Sequence, residues 1–199
     1  MKRLSAFIVF FFLCALAAES AAQKSASPQA VEIPAQAPMF TAAELAAKVP
    51  AAKADDVKSM DAILVAIYDV ISGPAGDRDW NRFRSLFLPE ARFTDAGKNP
   101  DGSAVIFSWG VEEFIRDAKT VFAKDPFYEK AIVNKPDVYG NVAQVFSSYE
   151  SRHAAAEKPF QRGINSIQLF NDGKRWWVLS ILWDSEREGN PLPAKFAGK

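Results

Sequence analysis

The sequence predicts an α+β fold in which three helices pack against one face of a curved antiparallel sheet. Three observations predict it. Apolar residues recur at helical spacing in three segments, strand-like segments fill the second half of the chain, and Asn171-Asp172-Gly173-Lys174 is a strong hairpin signal between two of them. Amphipathic helices interrupted and followed by antiparallel strands bury their apolar faces by letting a sheet wrap around them, and such curvature leaves a cavity.

The first predicted helix starts at Asp61 and carries Ile63, Leu64, Ile67, Val70 and Ile71 on one face. The second carries Trp80, Phe83 and Phe87 at the same spacing, and Pro89 and Glu90 are expected to break it. Ala91 to Asp95 then alternates, so that Phe93 and Asp95 share a face opposite Arg92 and Thr94. An acid on the apolar face of a strand asks for a function. A strand over Ala104–Trp109 precedes a third amphipathic helix beginning at Val111, with Phe114, Ile115, Ala118, Val121 and Phe122 on its apolar side. Further strands are expected over Tyr128–Asn134, Val142–Arg152, Gln161–Phe170 and Arg175–Asp184. In the last of these both faces are apolar, so one is expected to line the cavity and the other to meet the C-terminal segment or a second subunit.

Outside this region the composition changes. Lys2 and Arg3, the apolar run Leu4 to Ala18 and the small residues Ser20, Ala21 and Ala22 have the layout of a signal peptide over residues 1–22, and export to a periplasm or to the outside is the expected destination. The apolar run is short for a bilayer span, which takes about 20 residues, so no stable membrane anchor is expected after cleavage. Residues 23–58 are rich in Ala, Pro, Ser and Lys and read as a flexible tether, within which Thr41 and Glu44 could cap a short helix. Residues 59–188 read as one domain and residues 189–199 as a tail.

Charge and cysteine content exclude several functions. The 24 basic and 24 acidic side chains balance to zero, so no global field attracts nucleic acid. Arg78, Arg82 and Arg84 alternate with acids and aromatics, as on a solvated helix face. The single cysteine, Cys14, lies in the leader, which leaves neither a disulfide nor thiol chemistry to the exported chain. The single histidine, His153, cannot form a histidine-based metal cluster, and no metal or cofactor is expected.

The run LFLPEARFTDAG at residues 86–97, following two helices, and FNDGKRWWVLSILW at residues 170–183, closing the sheet, resemble the nuclear transport factor 2-like superfamily over about residues 59–188. The resemblance implies a cone-shaped sheet. Its enzymatic member closest in pattern is ketosteroid isomerase, and that likeness implies Asp95 as a proton-transfer base and Tyr68 as an oxyanion donor. Where that family has a protonated aspartate this chain has Ser166, flanked by Asn165, so the third acid is replaced by a hydroxyl.

The candidate catalytic residues are therefore Asp95, Tyr68 and Ser166. The candidate pocket residues are Trp80, Phe83, Trp109, Asn165, Gln168 and Trp183, with the aromatics open to reading as plain core and the amides needing partners from protein or ligand. Asp184 and Glu186 are expected to pair with Arg162 or Arg175. Three functions compete on this reading. The first is an exported module binding a small, largely apolar ligand. The second is a cofactor-independent isomerase or lyase using Asp95, and the third a homodimeric interaction module joined through the outer sheet face.

Overall fold

A computed structural model describes residues 40–154 and 156–198. The signal peptide and residues 23–39 of the tether expected from sequence lie outside the described residues. The elements run α1 (Ala42–Ala47), α2 (Ala54–Val57), α3 (Met60–Ile71), α4 (Trp80–Leu86), β1 (Phe87–Lys98), β2 (Ala104–Trp109), α5 (Val111–Phe122), β3 (Tyr128–Tyr139), β4 (Val142–Arg152), β5 (Gln161–Asn171) and β6 (Trp176–Ser185), closed by a single 3-10 turn, Ala194–Phe196. The fold is α+β, with one six-stranded curved sheet in the order β2-β1-β6-β5-β4-β3.

Four of the five strand pairings are antiparallel, whereas β1 runs parallel to β6. The sheet is thus mixed where an antiparallel one was expected. The reason is topological: β1 and β2 form a hairpin, and the chain returns through α5 and three further strands before β6 docks beside β1.

Two element boundaries differ from expectation for identifiable physical reasons. Helix α4 ends at Leu86, and Phe87 already begins β1, because its ring packs 4.6 Å from Phe83 and 4.8 Å from Phe93. Pro89 and Glu90 fall in the stretch between Phe87 and Arg92 where the pairing with β6 shifts register, a bulge that tolerates a missing backbone donor. Strand β3 continues past Asn134 through Pro136 to Tyr139. It is an edge strand, the place in a sheet where a proline is tolerated.

Residues 40–58 carry more structure than a tether. Thr41 and Glu44 form the anticipated capping box on α1, Val57 of α2 is buried in the core, and Asp56 takes a two-pronged ion pair from Arg82 at 2.8 and 2.9 Å. The tail also returns: Phe196 is buried, and its backbone carbonyl accepts from the Ser148 hydroxyl at 2.8 Å on the outer face of β4. Asp172 and Gly173 (φ +88°) make the predicted turn between β5 and β6, the Asp172 carboxylate accepting from the backbone N–H groups of Lys174 and Arg175.

The three basic residues before β1 are occupied. Arg82 bridges Asp56 and Asp69, Arg84 pairs with Glu112 at 2.6 Å, and Arg78 donates to the carbonyls of Ile71, Gly73, Pro74 and Gly76. Arg162 pairs with Glu186 at 2.8 Å as anticipated, while Asp184 pairs with Arg187.

Candidate functional site

Strand registers place the functional side chains in rows across the inner face of the sheet. Phe107, Asp95, Trp183, Asn165, Ser147 and Asn134 are successive cross-strand partners from β2 to β3. Cross-strand partners project to the same side, so all six face the helices. A second row holds Ser185, Gly163, Tyr149 and Ala131, and a third holds Gln161, Ser151 and Glu129.

Between these rows and the helices lies an interior cavity of about 170 Å³. Its apolar wall is made by Phe83 of α4, Phe87 and Phe93 of β1, Phe114 and Phe122 of α5, and Phe127, with Ile67, Ile71, Ile181 and Trp183 completing it. Glu129, Tyr149, Gln161 and Asn165 form the polar end. The aromatic rings hold one another: Phe83 and Phe114 stack at 5.4 Å, and Phe93 and Phe114 at 4.4 Å.

Glu129 is the main polar feature of this site. It stands at the start of an edge strand, is only partly exposed, and lines both the interior cavity and a groove of about 510 Å³ outside it, between α3 and β3. The Ser151 hydroxyl donates to its carboxylate at 2.7 Å, and its backbone N–H donates to the Ser72 hydroxyl at 2.9 Å, which fixes β3 against α3. Burial pushes its pKa from 4.5 up to about 7, against the opposing effect of hydrogen bonds from Ser151 and Asn165. A carboxyl poised there holds or releases a proton near neutral pH.

Tyr68 and Asn165 are joined in the same network. The Tyr68 hydroxyl shares a hydrogen bond of 2.5 Å with Ser147 and accepts from the Asn165 amide at 3.1 Å. Burial, with the nearby Glu129 charge, raises the Tyr68 phenol well above its ordinary pKa. Tyr149 lies over Gly163, where a Cβ would come within 2.6 Å of its hydroxyl and 2.8 Å of its ring. Burial pushes the Tyr149 phenol up to about 12. The absent side chain of Gly163 is what lets this tyrosine lie flat across the sheet.

The candidate residues therefore separate into groups. Phe83, Asn165 and Trp183 line the cavity. Trp109 stacks on Trp183 at 6.0 Å and lies beside Phe107 at 6.1 Å, outside the lining itself. Asp95 has Phe107 and Trp183 as its cross-strand partners, its carboxyl raised in pKa by burial and then by Asp184. Among the described residues it has no hydrogen-bond or ion-pair partner.

Three placements correct the expectation. Ser166 and Gln168 lie on the outer face, one residue out of phase with Asn165, where Gln144 links them: its amide donates to Ser166 at 2.7 Å, and its carbonyl accepts from Gln168 at 2.8 Å. Trp80 is core, stacked 6.2 Å from Phe122 with its ring nitrogen bonded to Asp77. The triad of Asp95, Tyr68 and Ser166 does not converge, because Ser166 points away from the other two.

Glu129 escaped sequence reasoning because the segment around it, Tyr128-Glu129-Lys130, reads as an ordinary alternating surface strand. Its partner Ser151 sits beside it only through the β3–β4 register. Among the described residues no group of three or more His, Cys, Asp or Glu side chains is placed to hold a metal ion.

No family model matches this chain, and no curated protein matches it. Solved structures described as NTF2-like are among those whose fold it resembles. A proposed dehydratase of the NTF2-like family from Streptomyces avermitilis aligns over 66% of this chain and 96% of its own at 14% identity, TM-score 0.49. A proposed ketosteroid isomerase from Parabacteroides distasonis aligns over 64% of this chain and 87% of its own at 14% identity, TM-score 0.44. The β subunit of a proposed aromatic-ring-hydroxylating dioxygenase from Novosphingobium aromaticivorans aligns over 65% and 90% at 13% identity, TM-score 0.49. Likeness at this level assigns neither a family nor a chemistry.

Proposed function

We propose that this protein is an exported binding module that takes one small, largely apolar molecule into the interior cavity, with a polar group of that molecule at the Glu129 end. The observation that carries the reading is the cavity's composition: a wall of aromatic and isoleucine side chains closed by a few convergent polar groups, the usual design of a small-molecule site. Volume limits the occupant. Sites for drug-sized ligands run from about 300 Å³ upward, whereas an apolar cavity of about 150 Å³ holds a molecule the size of benzene. At about 170 Å³ the cavity suits a single ring with a short polar substituent and is too small for a steroid.

The test is native mass spectrometry of the protein purified from its own host, beside Ile181→Phe, which fills the cavity from β6. A small adduct on the wild type that the variant loses supports the reading. An adduct retained by the variant places the ligand elsewhere and refutes it.

A second reading is favoured by one specific observation, the placement of the Glu129 carboxyl at the polar end of the cavity, where burial raises its pKa. In that reading the protein is a cofactor-independent isomerase or lyase, with Glu129 in the proton-transfer role that the resemblance to ketosteroid isomerase implied for Asp95. It predicts Glu129-dependent exchange of a ligand proton into deuterated water; exchange that persists in Glu129→Gln would refute it.

A further inference from the structure

We propose that the occupant of the interior cavity is a protonated amine carried on a single ring, its ammonium group held against Glu129. This rests on the binding role proposed above and names the chemical class of ligand for the same cavity.

Charge carries the argument. Among the described residues lining the cavity there is one acid, Glu129, and no Lys, Arg or His. The next ionisable carboxyl along the inner face is again acidic, Asp95, next to Trp183 across the β1–β6 pairing and without a protein partner among the described residues. The nearest cations on the strands beside Glu129 are Lys130 and Arg152, which line the outside groove with it; both pair with Glu150, at 3.1 and 2.7 Å, and neither is paired with Glu129. A ligand entering the cavity thus meets carboxylates that no protein cation neutralises.

Each class of ligand fares differently in that field. An anion adds a second negative charge beside Glu129 in a poorly solvated space, which is strongly disfavoured. A neutral molecule gains the apolar wall and at most hydrogen bonds to the polar end, with no charge pairing. A cation gains the wall and supplies the charge partner that the buried carboxyl otherwise lacks, and a buried ammonium is tolerated only where such pairing exists. The remaining donor capacity of an ammonium also finds acceptors. The Gln161 amide nitrogen is used by Ser185 at 2.6 Å, which leaves its carbonyl oxygen, and Tyr149 presents a hydroxyl oxygen. Phe127 and Trp183 in the lining add aromatic surfaces that attract cations.

Raised burial of the Glu129 carboxyl fits the same picture, since an empty apolar cavity penalises its charged form and a bound cation would relieve that penalty. The volume of about 170 Å³ limits the amine to one ring.

The test compares three near-isosteric probes on the folded chain by calorimetric titration at pH 8: benzylamine, benzyl alcohol and benzoate. The expected result is that benzylamine binds at least about ten-fold tighter than benzyl alcohol, with benzoate weakest. In Glu129→Gln the preference for the amine over the alcohol should fall to within about three-fold. Benzyl alcohol binding the wild type as tightly as benzylamine, or an amine preference that survives Glu129→Gln, overturns the cationic assignment and leaves the cavity reading standing. If none of the three binds the wild type, the binding role itself falls. The wild-type comparison needs no variant, so it decides the matter even where Glu129→Gln fails to fold.

Discussion

The Ser151 hydroxyl donates to the Glu129 carboxylate at 2.7 Å, joining the edge strand β3 to β4 at the polar end of the cavity. That bond supports an acid which burial holds near neutrality, and a stability consequence follows from its sign. The Glu129 pKa rises from 4.5 in the unfolded chain to about 7 in the fold, so the folded state binds the extra proton between those values. Stability is therefore full below about pH 4.5 for this group and declines as pH rises through 7. At about 1.4 kcal/mol for each pKa unit, the loss amounts to as much as about 3 kcal/mol. Glu129→Gln should remove that slope, matching the wild type at pH 4.5 and exceeding it above pH 7. Urea unfolding at both pH values checks it; equal slopes for the two proteins would contradict the placement of the carboxyl.

Asn165 and Gln168 offer a paired comparison on one strand. Asn165 is buried and donates to the Tyr68 hydroxyl at 3.1 Å, linking β5 to α3. Its replacement by leucine leaves buried polar groups without a donor and should cost about 1–3 kcal/mol. Gln168→Leu on the outer face should change stability by less than about 0.5 kcal/mol. Chemical unfolding of both variants tests whether the strand faces are assigned correctly.

Gly163→Ala should be severely destabilising for a position whose backbone is otherwise ordinary. The added carbon would meet the Tyr149 ring at 2.8 Å and also the backbone carbonyl of Asp184, which cannot rotate away. Overpacking of this kind costs about 1–3 kcal/mol. Tyr149→Phe combined with Gly163→Ala should recover little, because the carbonyl remains. Thermal unfolding of the single and double variants measures this.

The boundary of the domain can be tested on Asp56. Arg82 holds the Asp56 carboxyl below its ordinary pKa through a bidentate pair whose side chains are 18% and 12% exposed. Asp56→Ala should cost about 1–3 kcal/mol, since it removes the bidentate partner of a partly buried guanidinium and leaves it Asp69 alone. Asp55→Ala one residue earlier, where the carboxyl pairs with Lys58 in solvent at 89% exposure, should cost close to nothing.

Much of the architecture was legible in the sequence because it follows from periodicity. The buried faces of α3 and α5, the strands β2 and β4, and the Asp172-Gly173 turn are all local patterns and appear where the spacing put them, although Val121, expected on the apolar side of α5, is exposed. The parallel β1–β6 pairing was not legible, since nothing local distinguishes a strand that meets a parallel neighbour. The passage of α4 directly into β1 was obscured by Pro89, whose effect is absorbed by a bulge. Within the site, Asn165 was recognisable as a polar residue in an apolar strand, but Ser166 and Gln168 shared that signal and face the other way. A single step of register separates the two sides. Glu129 left no local signal at all; its role comes from Ser72, Ser151 and Asn165, which the fold gathers from three other elements.

The most direct test of the central claim, a ligand site inside the sheet, is isoleucine methyl spectroscopy by NMR while benzylamine is added to the full chain. Ile67, Ile71 and Ile181 line the cavity, while Ile106 and Ile164 lie on the outer face of the sheet. Occupation of the cavity should give saturable shifts at Ile67, Ile71 and Ile181, with Ile106 and Ile164 unmoved. Shifts confined to Ile106 and Ile164, or none at any of the five, would contradict it.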